Sequence, residues 1–297
     1  MKIERYAAID IGSNAVRVLI SNVISSKMKS PKFMKSSMVR VPIRLGEDSF
    51  TVGEISDKNK KRMVKAMKAF KHIMKISNVT SYMACATSAL REANNAEEVV
   101  ELVKRTTGIQ IQIIDGKREA EIISTTNIFE SINKNKTFLF IDVGGGSTEF
   151  SVLVKGKRIV SKSFKVGTVR MINNMVSDKI WVEIQRWIEQ NTKGYTKLSL
   201  LGSGGNINKL FKIAGIKEGR PLSFIKLNTL YSELNQLTYE ERIVQWELNP
   251  DRSDVIIPAT QIYLKALQWS GATEIYVPKI GLADGMIKVL YAENKKP

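Results

Sequence analysis

The sequence predicts an α/β protein built from two similar halves. Residues 7–20 read AAIDIGSNAVRVLI, and residues 139–152 read LFIDVGGGSTEFSV. Each stretch has an apolar run, an aspartate, a glycine-containing turn and a second apolar run, a pattern typical of a β-hairpin. The pattern opens each half, at Asp10 and Asp142, and duplication of one α/β domain explains the repeat. A chain of 297 residues has room for two domains of about 150 residues each.

Strand and helix patterns alternate along the first half. Two strands flank the first turn, a loop rich in lysine and serine follows, and the next strand is predicted at MVRVPIRLG, residues 38–46. The spacing of the apolar residues over 56–76 predicts a helix whose inner face carries Met63, Met67, Phe70 and Met74. The remaining predicted elements are a strand at SYMACA, a helix at AEEVVELVKRTTG, an alternating strand at IQIQIID and a helix at GKREAEIISTTNIFESI.

The second half repeats this organisation. Strands joined by tight turns are predicted from residue 137, followed by a helix at WVEIQRWIEQ, a strand, turn and helix in KLSLLGSGGNINKLFKIAG, and a closing helix at LADGMIKVLYAEN. The domain boundary is expected near residues 122–136, with a first domain of 1–122 and a second of 123–281. The closing segment 282–297 is expected to return to the first domain. Because no proline-rich tract separates the halves, we expect a hinge rather than a flexible tether.

The chain is strongly basic, with a formal net charge of +17. An excess of this size attracts polyanions such as nucleic acid, anionic lipid or phosphate-rich molecules. Part of it lies on the helix predicted over 56–76, on the side away from the apolar residues: Lys58, Lys61, Lys65, Lys68 and Lys75. One interpretation is an ordinary solvated helix face, and the other is a basic patch that collects a polyanion. Nucleic acid is not favoured, because no aromatic interleaving, zinc-finger spacing or helix-turn-helix signature occurs.

Several functional classes are disfavoured by composition. No run of about 18 uncharged apolar residues is present, so no membrane partner is expected. The opening MKIERYAAID runs directly into the first strand and leaves no room for a signal peptide. Cys85 is the single cysteine, which fits a reducing cytoplasm, the expected location. We interpret Cys85 as a buried strand residue rather than a nucleophile, because the single histidine, His72, belongs to another helix and is expected at the surface. One cysteine and one histidine do not favour a zinc site.

Glycine-rich turns of this kind are suited to binding phosphate. Consecutive backbone N–H groups form a concave nest for an anion, and glycine lets the backbone approach closely. Asp142 precedes the turn DVGGGST and is placed to hold a hard cation such as Mg²⁺ beside a phosphate. DIGSN repeats this chemistry, and LGSGGN adds a third turn before a helix N-terminus. Each turn alone is an ordinary loop, and GSGGN matches neither a Walker A motif nor G-x-G-x-x-G. Together they predict two domains whose hairpins grip a phosphate chain across one cleft.

At these residues the chain resembles the Ppx/GppA family of exopolyphosphatases and guanosine pentaphosphate phosphohydrolases, within the actin-like ATPase superfamily. The resemblance rests on IDIGSNAVRVLI, IDVGGGSTEFSV, ATSALREANN, DGKREAEII, GSGGN, RSDVIIPA and IGLADGM, which occur in the family's order through nearly the whole chain. It implies two ribonuclease-H-like domains with mixed sheets flanked by helices and an active site in the cleft between them. It also implies Mg²⁺-dependent release of the terminal phosphate from inorganic polyphosphate or from guanosine pentaphosphate, and a homodimer.

The resemblance assigns the catalytic role to Glu119, in the segment GKREA. A carboxylate at a strand-to-helix junction can orient a water for in-line attack on phosphorus. The alternative is that Glu119 only complements the dipole of the helix N-terminus. Glu121 follows two residues later, roughly 200° around the helix, and is expected to point elsewhere.

The remaining roles are carried over in the same way. Arg91 matches an arginine that grips phosphate, and Arg17 occupies a second phosphate-facing position, with an ordinary outward-facing strand residue as its alternative. The expected phosphate-binding set is Gly12, Ser13, Asn14, Arg17, Arg91, Gly144, Gly145, Gly146, Ser147 and Gly204. The expected metal set is Asp142 as ligand of Mg²⁺ or another divalent ion such as Mn²⁺, Glu149 as a helper, and Asp10 through water.

Two positions depart from the family pattern. Arg118 stands where most members have an acidic residue, and Ala15 replaces a common serine. These departures keep open the alternative of a non-catalytic protein that binds polyphosphate or an alarmone. A kinase of the same superfold that uses ATP is a second alternative. Larger members carry further C-terminal helical domains, so weak processivity and a preference for short chains are expected.

Overall fold

The computed structural model describes residues 1–26, 29–126 and 136–295. The chain divides into two compact units, one formed by Met1–Thr126 with Leu282–Pro297 and the other by Asn127–Gly281. Most of the stretch in which the sequence predicts the domain boundary lies outside the described residues. The same is true of the last part of the helix predicted over GKREAEIISTTNIFESI.

The strands and helices are numbered in chain order. The strands are β1 (Lys2–Ile11), β2 (Val16–Ser26), β3 (Lys29–Val41), β4 (Ser81–Ala86), β5 (Gln112–Ile113), β6 (Thr137–Val143), β7 (Thr148–Val154), β8 (Lys157–Phe164), β9 (Leu198–Ser203), β10 (Leu222–Ser223) and β11 (Glu274–Tyr276). The helices are α1 (Leu45–Thr51), α2 (Asp57–Ile76), α3 (Ser88–Glu92), α4 (Ala96–Thr107), α5 (Gly116–Ser124), α6 (Thr168–Ile172), α7 (Asp178–Thr192), α8 (Gly205–Ile213), α9 (Phe224–Gln236), α10 (Tyr239–Gln245), α11 (Pro250–Ser253), α12 (Ile256–Ser270) and α13 (Leu282–Glu293).

The first unit is built on a mixed sheet with the order β3-β2-β1-β4-β5. β1, β2 and β3 are antiparallel, whereas β4 and β5 run parallel to β1. β1 is the central strand, and its last six residues are buried, because a central strand covered on both faces tolerates little polar surface. α13 packs against β1 and against α5, so the C-terminal helix completes the core of this unit.

The second unit repeats the arrangement with the order β10-β11-β9-β6-β7-β8. β6, β7 and β8 are antiparallel, and β9 and β11 run parallel to β6. The apolar residues of β6, β7 and β9 pack with those of α7, α8, α9 and α12 in one core. The predicted fold class, α/β with two mixed sheets flanked by helices, is therefore confirmed.

The two hairpins correspond residue by residue. Asp10 pairs with Arg17 across β1 and β2, and Asp142 pairs with Glu149 across β6 and β7. On the other side of β1, Asp10 pairs with Cys85 of the parallel strand β4. Its counterpart in the second unit, beside Asp142 in β9, is Ser203. The repeat seen in the sequence is thus a repeat of strand order and of register.

Three local predictions were wrong. The residues predicted as a lysine- and serine-rich loop before MVRVPIRLG belong, from Lys29 onward, to β3. Its polar composition suits an edge strand that pairs only with β2 and leaves many of its side chains exposed. The predicted strand also ends early, at Val41, and α1 begins at Leu45. In IQIQIID only Gln112 and Ile113 pair with β4, so the alternation reflects the burial of an extended segment more than a full strand.

Candidate phosphate-binding site

The turn of the second hairpin is fixed from one side by α6. The carbonyl oxygen of Gly144 accepts from the N–H of Thr168 at 3.0 Å, and that of Gly145 accepts from Val169 and Arg170 at 2.8 and 3.3 Å. The carbonyl oxygen of Gly146 accepts from Nε of Arg170, a buried side chain, at 2.7 Å. All three glycine carbonyls are therefore turned toward the start of α6.

This orientation decides where the amide groups of the turn point. In a planar trans peptide the N–H points opposite to the carbonyl oxygen of the preceding residue. The N–H groups of Gly145, Gly146 and Ser147 therefore face away from α6, and within the described residues they donate no hydrogen bond. The N–H of Gly144 donates to the carbonyl oxygen of Ser147 at 2.9 Å, closing the turn. Three adjacent N–H groups on one side have the arrangement of an anion-binding nest.

The first hairpin turn is held in the same way. The N–H groups of Arg44 and Gly46, next to the start of α1, donate to the carbonyl oxygens of Asn14 and Ser13 at 3.1 and 2.8 Å. The N–H groups of Asn14 and Ala15 therefore point to the opposite side. The Ser13 hydroxyl is buried and lies 2.9 Å from the Ser88 hydroxyl, so it contacts another part of its own unit.

The third glycine turn joins β9 to α8 and is also held by its carbonyl groups. Tyr263 Oη donates to the carbonyl oxygen of Ser203 at 2.5 Å, and Arg252 Nη1 donates to that of Gly205 at 2.8 Å. Gly204 has a φ of 113°, which side chains with a Cβ rarely adopt. No described side chain caps α8 at its N-terminus, and uncapped N–H groups of this kind are what anion-binding helix N-termini use.

Asp142 lies between the second and third turns. It occupies β6 just before the glycine turn and pairs with Ser203 of β9. Its Oδ1 is 3.4 Å from the point where a Cβ of Gly204 would stand, so the missing side chain leaves room beside the carboxylate. Asp142 is half-buried, and its negative charge helps to raise the pKa of the Tyr263 hydroxyl, after the larger effect of burial. Asp142, the predicted metal ligand, therefore lies beside the backbone of two glycine turns.

Glu149 has a different environment from the one expected of a metal helper. Its side chain is buried, and its Oε1 accepts from the hydroxyls of Ser147 and Ser163 at 2.6 and 2.9 Å. These bonds orient the Ser147 side chain beside the turn. The described residues contain no group of three or more His, Cys, Asp or Glu side chains arranged to hold a metal. A Mg²⁺ ion held by one or two carboxylates and substrate phosphates needs no such group.

Asp10 and Arg17 form an ion pair in the first unit. Arg17 Nε lies 3.4 Å from Asp10 Oδ2, and the Arg17 side chain is about one-third exposed. Burial raises the pKa of the Asp10 carboxyl, and the Arg17 charge partly offsets that rise. Burial, and secondarily the neighbouring Asp10, raises the pKa of the Cys85 thiol to about 12. Cys85 is buried, as predicted, so its thiol is not an accessible nucleophile.

Glu119 lies in the first turn of α5. The Asp115 side chain caps this helix by accepting from the N–H of Arg118 at 2.7 Å, and Glu119 itself is only 8% exposed. Arg91, predicted to bind phosphate, donates from Nη1 to the carbonyl oxygen of Ile114 at 2.6 Å. Arg91 is thereby held next to the start of α5. Glu119 also raises the pKa of Cys85, as Asp10 does, which brings Glu119 and Asp10 into the same electrostatic neighbourhood.

The predicted alternative carboxylate, Glu121, has another environment. It is partly exposed, and its Oε2 lies 3.4 Å from Nη1 of Arg118, three residues earlier on the same helix. Arg118, the departure from the family pattern, therefore forms a surface ion pair. Glu119 and Glu121 differ in burial as the helical geometry predicts.

Three residues that support the second and third turns were not predicted from the sequence. Arg170 and Arg252 hold the second and third turns through their carbonyl groups, and Gly167 passes against the Gly145 carbonyl so closely that a Cβ there would clash. Ala15 lacks the hydroxyl of the serine that it replaces, but its backbone N–H is part of the first hairpin turn. These roles could not be predicted, because the segments RSDVIIPA and KVGTVR contain no local pattern that indicates a contact with a residue distant in the sequence.

The shared strand order of the two units, each with a glycine-containing hairpin turn, defines the class of protein, an α/β protein of duplicated design. The model of the Ppx/GppA phosphatase family matches residues 23–292, and the chain belongs to this family. None of the described helices combines the length and the apolar character that crossing a bilayer requires.

Known relatives agree with this assignment. The chain is 30% identical over 296 residues to the bifunctional 3-dehydroquinate synthase/phosphatase of Fusobacterium nucleatum, covering 91% of this chain and 44% of that protein. It is 27% identical over 179 residues to exopolyphosphatase 1 of Mycobacterium tuberculosis, covering 59% of this chain and 49% of that protein. The chain thus spans about half the length of these relatives. The structure of an exopolyphosphatase from Cytophaga hutchinsonii has the same fold, with a TM-score of 0.82, 24% identity and coverage of 95% of this chain and 96% of that one.

Proposed function

We propose that this protein is a phosphohydrolase that releases the terminal phosphate from inorganic polyphosphate, from guanosine pentaphosphate, or from both. The main observation in favour is the orientation of the turn at 144–147, whose three N–H groups face away from α6 beside Asp142. Such an array suits the oxygens of a phosphoryl group, because preorganised donors need no rearrangement when charge develops.

The backbone N–H groups, the arginines and Glu119 each have one role. The N–H groups of Gly145, Gly146 and Ser147 bind the terminal phosphoryl group. Those of Asn14 and Ala15, in the first hairpin turn, bind phosphate oxygens, and arginine side chains such as Arg91 balance their charge. Glu119 orients a water for in-line attack on phosphorus and takes up its proton, and the phosphoanhydride oxygen departs with the shortened chain.

The donor chemistry at Asp142 fits a magnesium ion. A half-buried carboxylate beside phosphate-binding amides is the type of ligand that Mg²⁺ uses when substrate and water complete its shell. When bound there, the ion would neutralise charge on the phosphate oxygens. Glu149, whose Oε1 is occupied by two hydroxyl donors, orients Ser147 in this proposal.

The strong positive charge of the chain supports a highly charged substrate. With 46 basic and 29 acidic side chains, the chain attracts a polyanion through counterion release, and the affinity then falls as salt rises. Polyphosphate hydrolysis should therefore slow clearly as the salt concentration passes through the physiological range. A KM that does not respond to salt would favour a small nucleotide substrate instead.

The decisive experiment compares Glu119→Gln with Glu121→Gln. Both substitutions remove one carboxylate from α5, but only Glu119 is buried in the first turn of the helix. Phosphate release is measured against polyphosphates of several lengths, guanosine pentaphosphate and ATP. Glu119→Gln should lower the release rate by about 10²- to 10⁴-fold while substrate binding persists. Glu121→Gln should remain close to the wild-type rate.

The same panel separates the alternatives. Near-normal release by Glu119→Gln would reject its role as base. Consumption of ATP only when an acceptor is present would favour a kinase. Binding of polyphosphate with no release at any pH would favour a non-catalytic sensor.

A further inference from the structure

The exposed side of α2 carries a straight row of basic side chains. Lys58, Lys61, Lys65, Lys68, His72 and Lys75 follow one another at alternating intervals of three and four residues. At 100° per residue these positions fall within a sector of roughly 100°, directly opposite the buried residues Met63, Phe70 and Met74. We call the five lysines the lysine row. All five are exposed, and the row runs about 25 Å along the helix axis at 1.5 Å per residue.

The lysine row has no acidic partner in the part of the chain that the structure describes. The neighbouring bases of α2 are engaged: Lys60 pairs with Glu98 and Asp57, Arg62 donates to main-chain carbonyls, and Lys71 donates to the Thr107 carbonyl. Among the described residues, no ion pair or hydrogen bond involves the side chain of a row lysine. Asp57 is the only acidic residue of the helix. A line of like charges with no compensation is unfavourable by itself and gains most from a multivalent anion.

The shape of the row favours an extended inorganic polyanion over other polyanions. A single nucleic acid strand is usually held by aromatic side chains on which its bases stack, and the only aromatic residues of α2 are the buried Phe70 and the single His72. A membrane-binding helix inserts its apolar face, but the apolar face of α2 is already buried in the first unit. A flexible chain of phosphates needs only closely spaced cations along a line.

We propose that the lysine row is a second binding site for polyphosphate, outside the glycine turns. It holds the part of a long chain that is not being cleaved, and short substrates do not need it. This role rests on the proposed function for its biological purpose, although binding by the row can be measured without catalysis.

The experiment uses two triple variants of the whole chain. Lys61→Gln, Lys65→Gln and Lys68→Gln together neutralise the middle of the row. The control replaces Lys179, Lys193 and Lys226 by Gln, which removes the same charge from exposed positions of the second unit. Binding of labelled long-chain polyphosphate is titrated over a range of salt concentrations, and circular dichroism confirms that both variants fold.

The row variant should bind long polyphosphate about tenfold more weakly than the control, and its salt dependence should fall by roughly 2 in log–log slope. Release of phosphate from tripolyphosphate should stay within about twofold of wild type. The row holds only the part of a long polyphosphate that is not being cleaved, and tripolyphosphate is too short to have such a part. Equal losses of affinity in both variants would show that only the net charge of the protein matters and would overturn the proposal. Equally tight, row-dependent binding of poly(U) would assign the row to nucleic acid and also overturn it.

The outcome for binding is separable from the outcome for catalysis. If the wild-type chain releases no phosphate from any substrate, the proposed function fails. The titration with long-chain polyphosphate still decides whether the row binds it. Wild-type affinity in the row variant would overturn this inference even where catalysis is confirmed.

Discussion

Arg170 Nε donates a hydrogen bond of 2.7 Å to the carbonyl oxygen of Gly146. The bond joins a buried guanidinium to the turn whose amides we propose to bind phosphate. With two backbone bonds from α6 to Gly145, it turns the carbonyl groups to one side and the N–H groups to the other. The orientation of the N–H groups in the turn thus depends on a residue that contacts the opposite side of the turn.

We therefore expect Arg170→Gln to weaken phosphate binding indirectly. Loss of a hydrogen bond from a charged group costs about 1.5–3 kcal/mol, and the turn would lose its fixed orientation. The KM for polyphosphate should rise and Tm should fall, and Arg170→Lys should rescue only part of the loss, because an ammonium group lacks the planar fork.

Arg186→Gln is the matched control for this variant. Arg186 is exposed on α7, so its replacement should change neither quantity. An Arg170→Gln protein with unchanged KM would show that the turn keeps its geometry without this support.

The sequence predicted the hairpins well because their signal is local. Asp-x-Gly turns between apolar runs determine β1–β2 and β6–β7 together with the register that opposes Asp10 to Arg17. The strands β4 and β9, which pair in parallel with the hairpins, were also predicted, because each is a short and mostly buried run. By contrast β3 was missed, because an edge strand with one free side needs little apolar surface and resembles a loop.

The candidate site was predicted only where one segment contains it. The glycine turns and Asp142 lie in continuous motifs, so their chemistry is visible in the sequence. Arg170 lies 24 residues from Gly146, and Arg252 lies 47 residues from Gly205, so only the folded chain reveals their contacts. The two hydroxyls that bind Glu149 were equally hidden, since Ser163 comes from the next strand.

Gly167→Ala should distort the second turn directly. A Cβ at this position would clash with the backbone of Gly145 and Gly146, and backbone atoms cannot move aside as a flexible side chain can. Overpacking of this kind typically costs about 1–3 kcal/mol. Tm should fall and phosphate release should decrease together.

Gly281→Ala provides the comparison for Gly167→Ala. Its Cβ would stand 4.0 Å from the Ser203 hydroxyl, an ordinary contact, so Tm should stay near that of wild type. A stable Gly167→Ala protein with normal activity would contradict the close approach of α6 to the turn.

Tyr263→Phe should destabilise the third turn. The Tyr263 hydroxyl is fully buried and donates to the Ser203 carbonyl, so its removal leaves a buried acceptor without that donor. Such a loss costs about 1–3 kcal/mol, measurable by urea unfolding. Tyr239→Phe removes a similar bond, to the carbonyl of Pro250, at an exposed position and should cost much less because water replaces the donor. Equal free energies of unfolding for the two variants would argue against the buried bond.

Cys85 should resist thiol reagents in the folded protein. With a pKa of about 12, only about one thiol in 10⁴ is ionised at pH 8, and burial blocks access as well. Labelling with a chromogenic disulfide should be undetectable in buffer and reach one thiol per chain in urea. Rapid labelling in buffer would contradict the burial of β4.

The same pKa shift predicts a dependence of stability on pH. The folded-state pKa of Cys85 lies above its ordinary value of 9.0, so its contribution is fully present below pH 9 and is lost as the pH rises toward 12. The free energy of unfolding of the wild type should therefore fall faster over this range than that of Cys85→Ala. Parallel slopes would show that the thiol has the same protonation in the folded and unfolded states over this range.

Asp142→Asn and Glu149→Gln should separate the metal role from the structural one. Asp142 borders the amides of two turns, whereas Glu149 accepts two hydroxyl bonds in the interior. Asp142→Asn should raise the Mg²⁺ concentration needed for half-maximal phosphate release at least tenfold, with Tm little changed, because a neutral amide is a weak Mg²⁺ ligand. Glu149→Gln should leave both Tm and the Mg²⁺ requirement almost unchanged, because both serine hydroxyls donate to Oε1 and the amide oxygen of glutamine can accept them in its place. If both variants shift the Mg²⁺ requirement equally, Glu149 acts on the ion as well, and if neither does, the ion is not held at Asp142.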